Sequence, residues 1–216
     1  MIGHLIDEKS LKRFYEHLKG REILNVIPYS KGNTSLVFVG EREGEKILIK
    51  LQRRDSSRRS LRKEAEILKF LKGKNITPEL FFTGNFEGLD YLVRHFAEGE
   101  PILYANIERE HLIEIGRKMH ELDKLGIDHG QVQGGKHILI GDKVWIIDFE
   151  KASLERKPRN LTSAMAMLFL NENQISKRII AKFGLDEKFL EELNTAVKFY
   201  KRNKNPNEIF ELLSSL

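Results

Sequence analysis

Past an N-terminal helical stretch, the apolar residues of this 216-residue chain pass from strand-like to helical spacing, and that change limits what the chain can fold into. Between residues 22 and 94 they fall mostly in short runs with strand-like alternation, broken by one helical stretch. From Glu108 onwards they recur every three or four residues, interrupted by a single short hairpin signal. The pattern predicts a sheet-rich first part followed by a mainly helical second part, with the boundary near residues 96 to 102.

In chain order, Leu11, Phe14, Tyr15 and Leu18 predict a helix from Asp7 to Gly20. Strands are expected over Glu22–Pro28, Leu36–Val39, Lys46–Gln52, Thr77–Phe82 and Leu89–Arg94. Tyr29–Ser35 reads as a polar loop, and Ser57–Leu71 as a helix with Leu61, Ala65, Leu68 and Leu71 on its apolar face. Later helices are expected from Glu108 to near Gly126, after Asn160, and over Ile175–Phe183, Glu187–Tyr200 and Glu208–Leu213.

Composition excludes several classes. No run of about eighteen apolar residues is present, so no transmembrane helix or membrane partner is expected. The N-terminal stretch lacks the apolar core of a signal peptide, which predicts a cytoplasmic protein. Cysteine is absent, which rules out disulfides and thiolate metal sites. Charged residues make up 32 % of the chain, a usage found in heat-adapted proteins. The net charge of +5 suits a polyanionic partner such as RNA, and equally a protein kept soluble by surplus lysines.

The stretch from Gly126 to Ser153 carries the densest chemistry. Asp128 and His129 sit in a Gly-rich loop. His137 precedes the apolar run Ile138–Ile140, a Gly141–Asp142 turn follows, and Asp148-Phe149-Glu150 closes the run Val144–Ile147. Carboxylates at the mouth of a hairpin can hold metal ions over a phosphate, although an aspartate ending a strand is more often a turn residue. Upstream, Lys50 alternates with Ile49 and Leu51 in an apolar strand, where it is either an edge guard or a point charge for phosphates. Glu64 lies beside the apolar stripe of the next helix and can pair with Lys50.

The order strand, Gly32 loop, strand, strand with Lys50, helix with Glu64 resembles the small lobe of the protein-kinase-like fold. Ile47-Leu48-Ile49-Lys50 and Glu64-Ala65-Glu66-Ile67-Leu68 match that lobe best, and only Gly32 stands where its glycine loop has a glycine. Asp148-Phe149-Glu150 resembles the family's metal-binding Asp-Phe-Gly. His129-Gly130-Gln131 takes the place of the His-Gly-Asp common in related families, and His137 the place of a metal-binding asparagine. The resemblance implies an α+β, two-lobed fold: an N-lobe over residues 1–96 with an antiparallel sheet and one main helix, and a helical C-lobe over 97–216. It further implies a nucleoside triphosphate, ATP or another, held by Gly32, Asn33, Thr34, Ser35, Lys50 and Glu64. Asp148 and His137 are the implied ligands of Mg²⁺ or Mn²⁺. Glutamine cannot accept a proton, so Asp128 is the candidate base, with Lys50 as the second catalytic residue.

Gly126-Ile127-Asp128-His129-Gly130, Lys136-His137 and Ile146–Glu150 are similar to a small archaeal group of predicted serine/threonine kinases of the RIO-like superfamily. That group includes an RNA kinase acting on the ribose 2′-hydroxyl of uridine 47 in the variable region of tRNA. The resemblance implies a monomeric kinase of tRNA that stabilises it against heat. A serine/threonine protein kinase and a nucleotide-binding relative without transfer activity stand as alternatives. Arg53, Arg54, Arg58, Arg59, Arg62 and Lys63 form a basic run suited to RNA. Two smaller basic clusters follow, Arg156, Lys157 and Arg159, then Lys198, Lys201, Arg202 and Lys204.

Overall fold

A computed structural model describes residues 5–56 and 60–216. The chain is α+β and divides into two compact units, Met1–Ala97 and Glu98–Leu216.

In the first unit, helix α1 (Glu8–Lys19) starts where Asp7 accepts a hydrogen bond from the Ser10 amide at 2.8 Å. Strands β1 (Leu24–Lys31), β2 (Ser35–Arg42), β3 (Glu45–Gln52), β4 (Leu80–Phe86) and β5 (Leu89–His95) form one antiparallel sheet in the order β1-β2-β3-β5-β4. Two of its hairpins turn on a glutamate–glycine pair, Glu43-Gly44 and Glu87-Gly88, all four with positive φ. This is the two-residue turn whose twist matches paired strands. The second turn makes β4 run on to Phe86, past the Thr77–Phe82 stretch that opens the expected strand.

Strand alternation sorts the side chains of this sheet. Leu36, Phe38, Ile47, Ile49, Leu51, Tyr91 and Val93 face α1 and form a core with its Phe14 and Leu18. A Cβ at Gly84 would sit 2.3 Å from the Tyr91 ring, so that position has no room for a side chain. Val37, Leu48, Lys50 and Leu92 belong to the opposite face, with Lys50 registered between Val37 and Leu92. Helix α2 (Leu61–Phe70) packs on β4 and β5. Of its expected start, Ser57, Arg58 and Arg59 lie outside the described residues.

The second unit holds a three-stranded sheet of β6 (Glu100–Pro101), β7 (Ile138–Ile140) and β8 (Val144–Ile146). The two-residue β6 leaves no periodic signal in the sequence. Helix α3 (Arg109–Lys124) buries Leu112, Ile115, Met119 and Leu122, a stripe at helical spacing. Helix α4 (Asn160–Met165) runs into a π-helical turn, Ala166–Leu170, closed by the Asn171 amide on the Ala166 carbonyl at 2.7 Å. Helices α5 (Gln174–Phe183), α6 (Glu187–Asn203) and α7 (Asn207–Ser214) complete the unit. No helix of the described residues is long and apolar enough to cross a membrane.

Candidate active site

Lys50 sits on β3, the middle strand of the five. An edge guard belongs on an outer strand, so that explanation of the lysine fails. Its Nζ lies 2.9 Å from both carboxylate oxygens of Glu64 on α2. Lys50 is 6 % exposed and Glu64 1 %. A buried ion pair seldom adds net stability over apolar residues of the same volume, because desolvating two charges offsets their attraction. Keeping a rigid ammonium in the middle of a sheet therefore points to a task beyond folding.

The polar loop expected over Tyr29–Ser35 is much tighter. Strand β1 continues to Lys31 through its pairing of Ser30 with Val37 and Lys31 with Leu36, and Ser35 opens β2. Only Gly32, Asn33 and Thr34 remain in the turn, where the Gly32 amide donates to the Ser35 carbonyl at 2.8 Å. Ser35 is buried, while Gly32 and Asn33 are exposed. The turn is tied to the end of β3: Arg53 Nη1 donates to the Gly32 carbonyl at 2.8 Å, and Gln52 Nε2 to the Thr34 carbonyl at 3.1 Å.

The basic run is less available than its composition implies. Arg53 is bidentate on Asp55, Arg54 reaches Glu87 at 2.7 Å, and Arg62 is bidentate on Asp90. Lys63 is exposed, and Arg58 and Arg59 lie outside the described residues. Surface pairs of this kind are weak, so these arginines can change partner, but they are not a bare cationic face.

In the second unit, Asp148 lies two residues past the end of β8. Its φ of 66° places a non-glycine residue in the left-handed region. Such backbone persists where the surrounding structure holds it, and it concentrates at functional sites. His137 Nδ1 is 3.4 Å from Asp148 Oδ2. The carboxylate oxygens of Asp148 and Glu150 come within 4.8 Å of each other. Two converging carboxylates are the oxygen donors that Mg²⁺ or Mn²⁺ takes, and the imidazole alongside suits Mn²⁺ as well. These residues fit the implied cation.

Asp128 and Ser153 exchange both backbone hydrogen bonds at 2.8 Å, joining the two loops that flank the hairpin. The Asp128 carboxylate accepts from Arg156 Nε at 2.6 Å, and Arg156 Nη2 also donates to the Lys151 carbonyl. A Cβ on Gly130 would fall 2.8 Å from the Lys151 carbonyl oxygen, which is backbone, and Gly130 has a φ of 76°. Glycine is required there on both counts. The candidate base is thus held by a guanidinium that is about half exposed.

His129 is fully buried. One ring edge of Phe149 meets it at 4.7 Å between centroids, and Nε2 lies 3.0 Å from the Ile147 carbonyl. A carbonyl only accepts, so Nε2 carries the proton and donates. Asn160 fixes the loop from below: its Oδ1 accepts the His129 amide at 2.9 Å, and its Nδ2 donates to the Ile127 carbonyl at 2.6 Å. Asp123 accepts from the Asn160 amide at 2.8 Å and from the Tyr200 hydroxyl at 2.8 Å. Burial, and then the charge of Asp123, push the Tyr200 phenol up.

No family model matches the chain. Over 117 residues it is 37 % identical to the uncharacterized protein MJ1211 of Methanocaldococcus jannaschii, an alignment that takes in 50 % of this chain and 97 % of the relative. The chain belongs to the MJ1211 family.

For a member of the MJ1211 family, chemistry has to be read from the residues themselves. Two of those described above escaped the sequence reading. Glu150 stood there only as the replacement of a glycine, although a second carboxylate two residues after Asp148 was a usable metal signal. Asn160 gave no signal, since an asparagine at a helix start is ordinary capping. His129 carries the first testable consequence. Burial lowers its pKa from 6.5 to about 4, against the opposing pull of the Ile147 carbonyl. The unfolded chain therefore binds this proton between those two values and the folded chain does not. The stability involved is whole above pH 6.5 and is lost as pH falls towards 4, by about 3 kcal/mol in all. His129→Phe is expected to remove that increment, so the gap between the pH 7 and pH 4.5 unfolding free energies should be about 2 to 3 kcal/mol narrower than in the parent.

Proposed function

We propose that this protein is an ATP-dependent phosphotransferase of the protein-kinase-like fold, with structured RNA, and tRNA by preference, as acceptor. The observation that carries the reading is the buried Lys50–Glu64 pair, with 2.9 Å from Nζ to each carboxylate oxygen on a central strand. Phosphoryl transfer asks a protein for positioned charge more than for covalent chemistry. Lys50, oriented by Glu64, would hold the nucleotide phosphates. Asp148, Glu150 and His137 would hold Mg²⁺ or Mn²⁺, which neutralises charge on the phosphates when bound. The acceptor hydroxyl oxygen forms a bond to the γ-phosphorus, the bond from that phosphorus to the β–γ bridging oxygen breaks, and ADP leaves. The hydroxyl proton passes to the Asp128 carboxylate.

The two-lobed arrangement and the ribose 2′-hydroxyl of tRNA, at uridine 47, come from the family resemblance, supported by the surplus of basic residues. The test is incubation with γ-labelled ATP and either total tRNA or a protein mixture, followed by nuclease digestion. Label in one nucleotide of tRNA is expected; label in protein alone turns the reading towards a protein kinase, and label in neither removes it.

The base has its own test. Asp128→Asn is expected to lower kcat by about a hundred-fold or more, the usual worth of a positioned base. Gln131→Ala, which removes no proton acceptor, is expected to cost less than about ten-fold. The reverse ranking in steady-state kinetics moves the base away from Asp128.

A further inference from the structure

The two smaller basic clusters lie about forty residues apart in sequence and are neighbours in the second unit. Lys204 Nζ reaches the Pro158 carbonyl at 3.4 Å, between Lys157 and Arg159. Lys204 caps α6, and Lys201 and Arg202 occupy the last turn of that helix. All five cations are exposed, as is Arg156, whose guanidinium leads to Asp128. A third segment adds to them. The proton affinity of His120 on α3 is lowered by burial first, then by Lys124, and also by Lys204, so both ammoniums lie within electrostatic reach of one ring. Acids are few alongside: Glu121 pairs with Lys124, Asp123 is engaged by Asn160 and Tyr200, and Glu155 is exposed.

Helix chemistry explains half of this patch. Cations at the end of α6 suit the negative pole of its dipole. The other half runs against that rule. Arg156, Lys157 and Arg159 stand immediately before α4, where the dipole is positive and cations are disfavoured. Arg156 is met there by the Asp128 carboxylate; exposed Lys157 and Arg159 at the same pole suit an external anion.

We infer that Lys157, Arg159, Lys201, Arg202 and Lys204 form one composite surface that docks the phosphodiester backbone of RNA, with Arg156 linking it to Asp128. The inference rests on the proposed RNA acceptor for the class of polyanion, and it moves the docking surface from the ion-paired run of the first unit to the second. A membrane is the lesser match. Membrane-surface helices set their cations beside a broad apolar face, and the large apolar side chains exposed on these elements are Leu154 and, at 38 %, Phe199.

The test is equilibrium binding of total tRNA, without nucleotide, from about 50 to 200 mM salt. One variant combines Lys157→Gln, Arg159→Gln and Lys204→Asn, asparagine being at ease in the left-handed cap that Lys204 occupies. Its control, Lys69→Gln, Lys72→Gln and Lys74→Gln, removes the same charge from exposed positions of the first unit. The first variant is expected to bind about ten-fold or more weakly, with the slope of log K against log salt reduced by about two to three. The control is expected to lose less than about three-fold. Thermal midpoints of both variants are measured alongside, and refolded protein with a parental midpoint is used. Equal losses in the two variants, or no loss in the first, overturn the inference. So does a loss confined to phosphatidylglycerol vesicles. Patch-dependent tRNA binding without phosphate transfer overturns the kinase reading and leaves this surface standing. Transfer to tRNA with patch-independent binding does the opposite.

Discussion

Lys50→Ala is expected to abolish phosphate transfer and to lower the unfolding free energy by about 3–5 kcal/mol. The stability loss has a definite origin. Glu64 is 1 % exposed, and both of its carboxylate oxygens lie 2.9 Å from the lysine ammonium. Alanine removes that positive charge from a carboxylate that stays buried, and breaking one side of such a pair is far costlier than the pair is worth. The double variant Lys50→Met with Glu64→Leu removes both charges and keeps the volume. It is expected to recover most of the lost stability, and to return to within about 1–2 kcal/mol of the parent in urea unfolding. Activity separates the two causes. If the pair served folding alone, the double variant would be stable and active. If Lys50 holds the phosphates of the nucleotide, the double variant is stable and inactive, and the single variant Lys50→Arg is impaired as well, since a planar fork does not replace a compact ammonium in a packed strand. Parental turnover in the double variant would remove the kinase reading.

The parts of this protein legible in its sequence are those written in periodicity and in turn residues. The helical stripe of α1, the alternation around Lys50, and the Glu43-Gly44 turn each have a local cause, and each lies where the local cause places it. Boundaries set by pairing were not legible. Whether Tyr29, Ser30 and Lys31 are loop or strand depends on the partners that Val37 and Leu36 offer across the hairpin, and nothing in the residues themselves states that. The same holds for charge. Arg53, Arg54 and Arg62 read as a free basic run because Asp55, Glu87 and Asp90, two of them about thirty residues downstream, meet them only after folding. Conversely, Pro158 and Lys204 become neighbours through the packing of α4 and α6, so a surface built from both had no sequence signature. Which partners each of these residues meets is a property of the fold.

Asp148→Ala is expected to lower transfer by about a thousand-fold or more, since the charge built up on a transferring phosphoryl group would lose one carboxylate of its metal site. The variant is informative because stability should move in a way that activity does not. Asp148 has a φ of 66°, a conformation that costs an L-residue with a Cβ about 1 kcal/mol or more, somewhat less for aspartate and asparagine. Asp148→Gly relieves that cost, Asp148→Asn keeps the backbone tolerance and loses the charge, and Asp148→Ala keeps the strain with no polar group to offset it. All three are expected to lose most of their transfer activity. Their stabilities should rank glycine first, asparagine second and alanine last, over a span of about 1–2 kcal/mol. A glycine variant more stable than the parent yet inactive is the result expected if the left-handed turn is maintained to aim a carboxylate. His137 and Glu150 beside it supply the second readout. With part of the ligand set intact, residual transfer by Asp148→Asn should need a higher divalent-cation concentration, and Mn²⁺, which accepts imidazole more readily than Mg²⁺ does, should support it better. Parental transfer by Asp148→Ala at limiting Mg²⁺ would place the metal, and the chemistry with it, elsewhere in the chain.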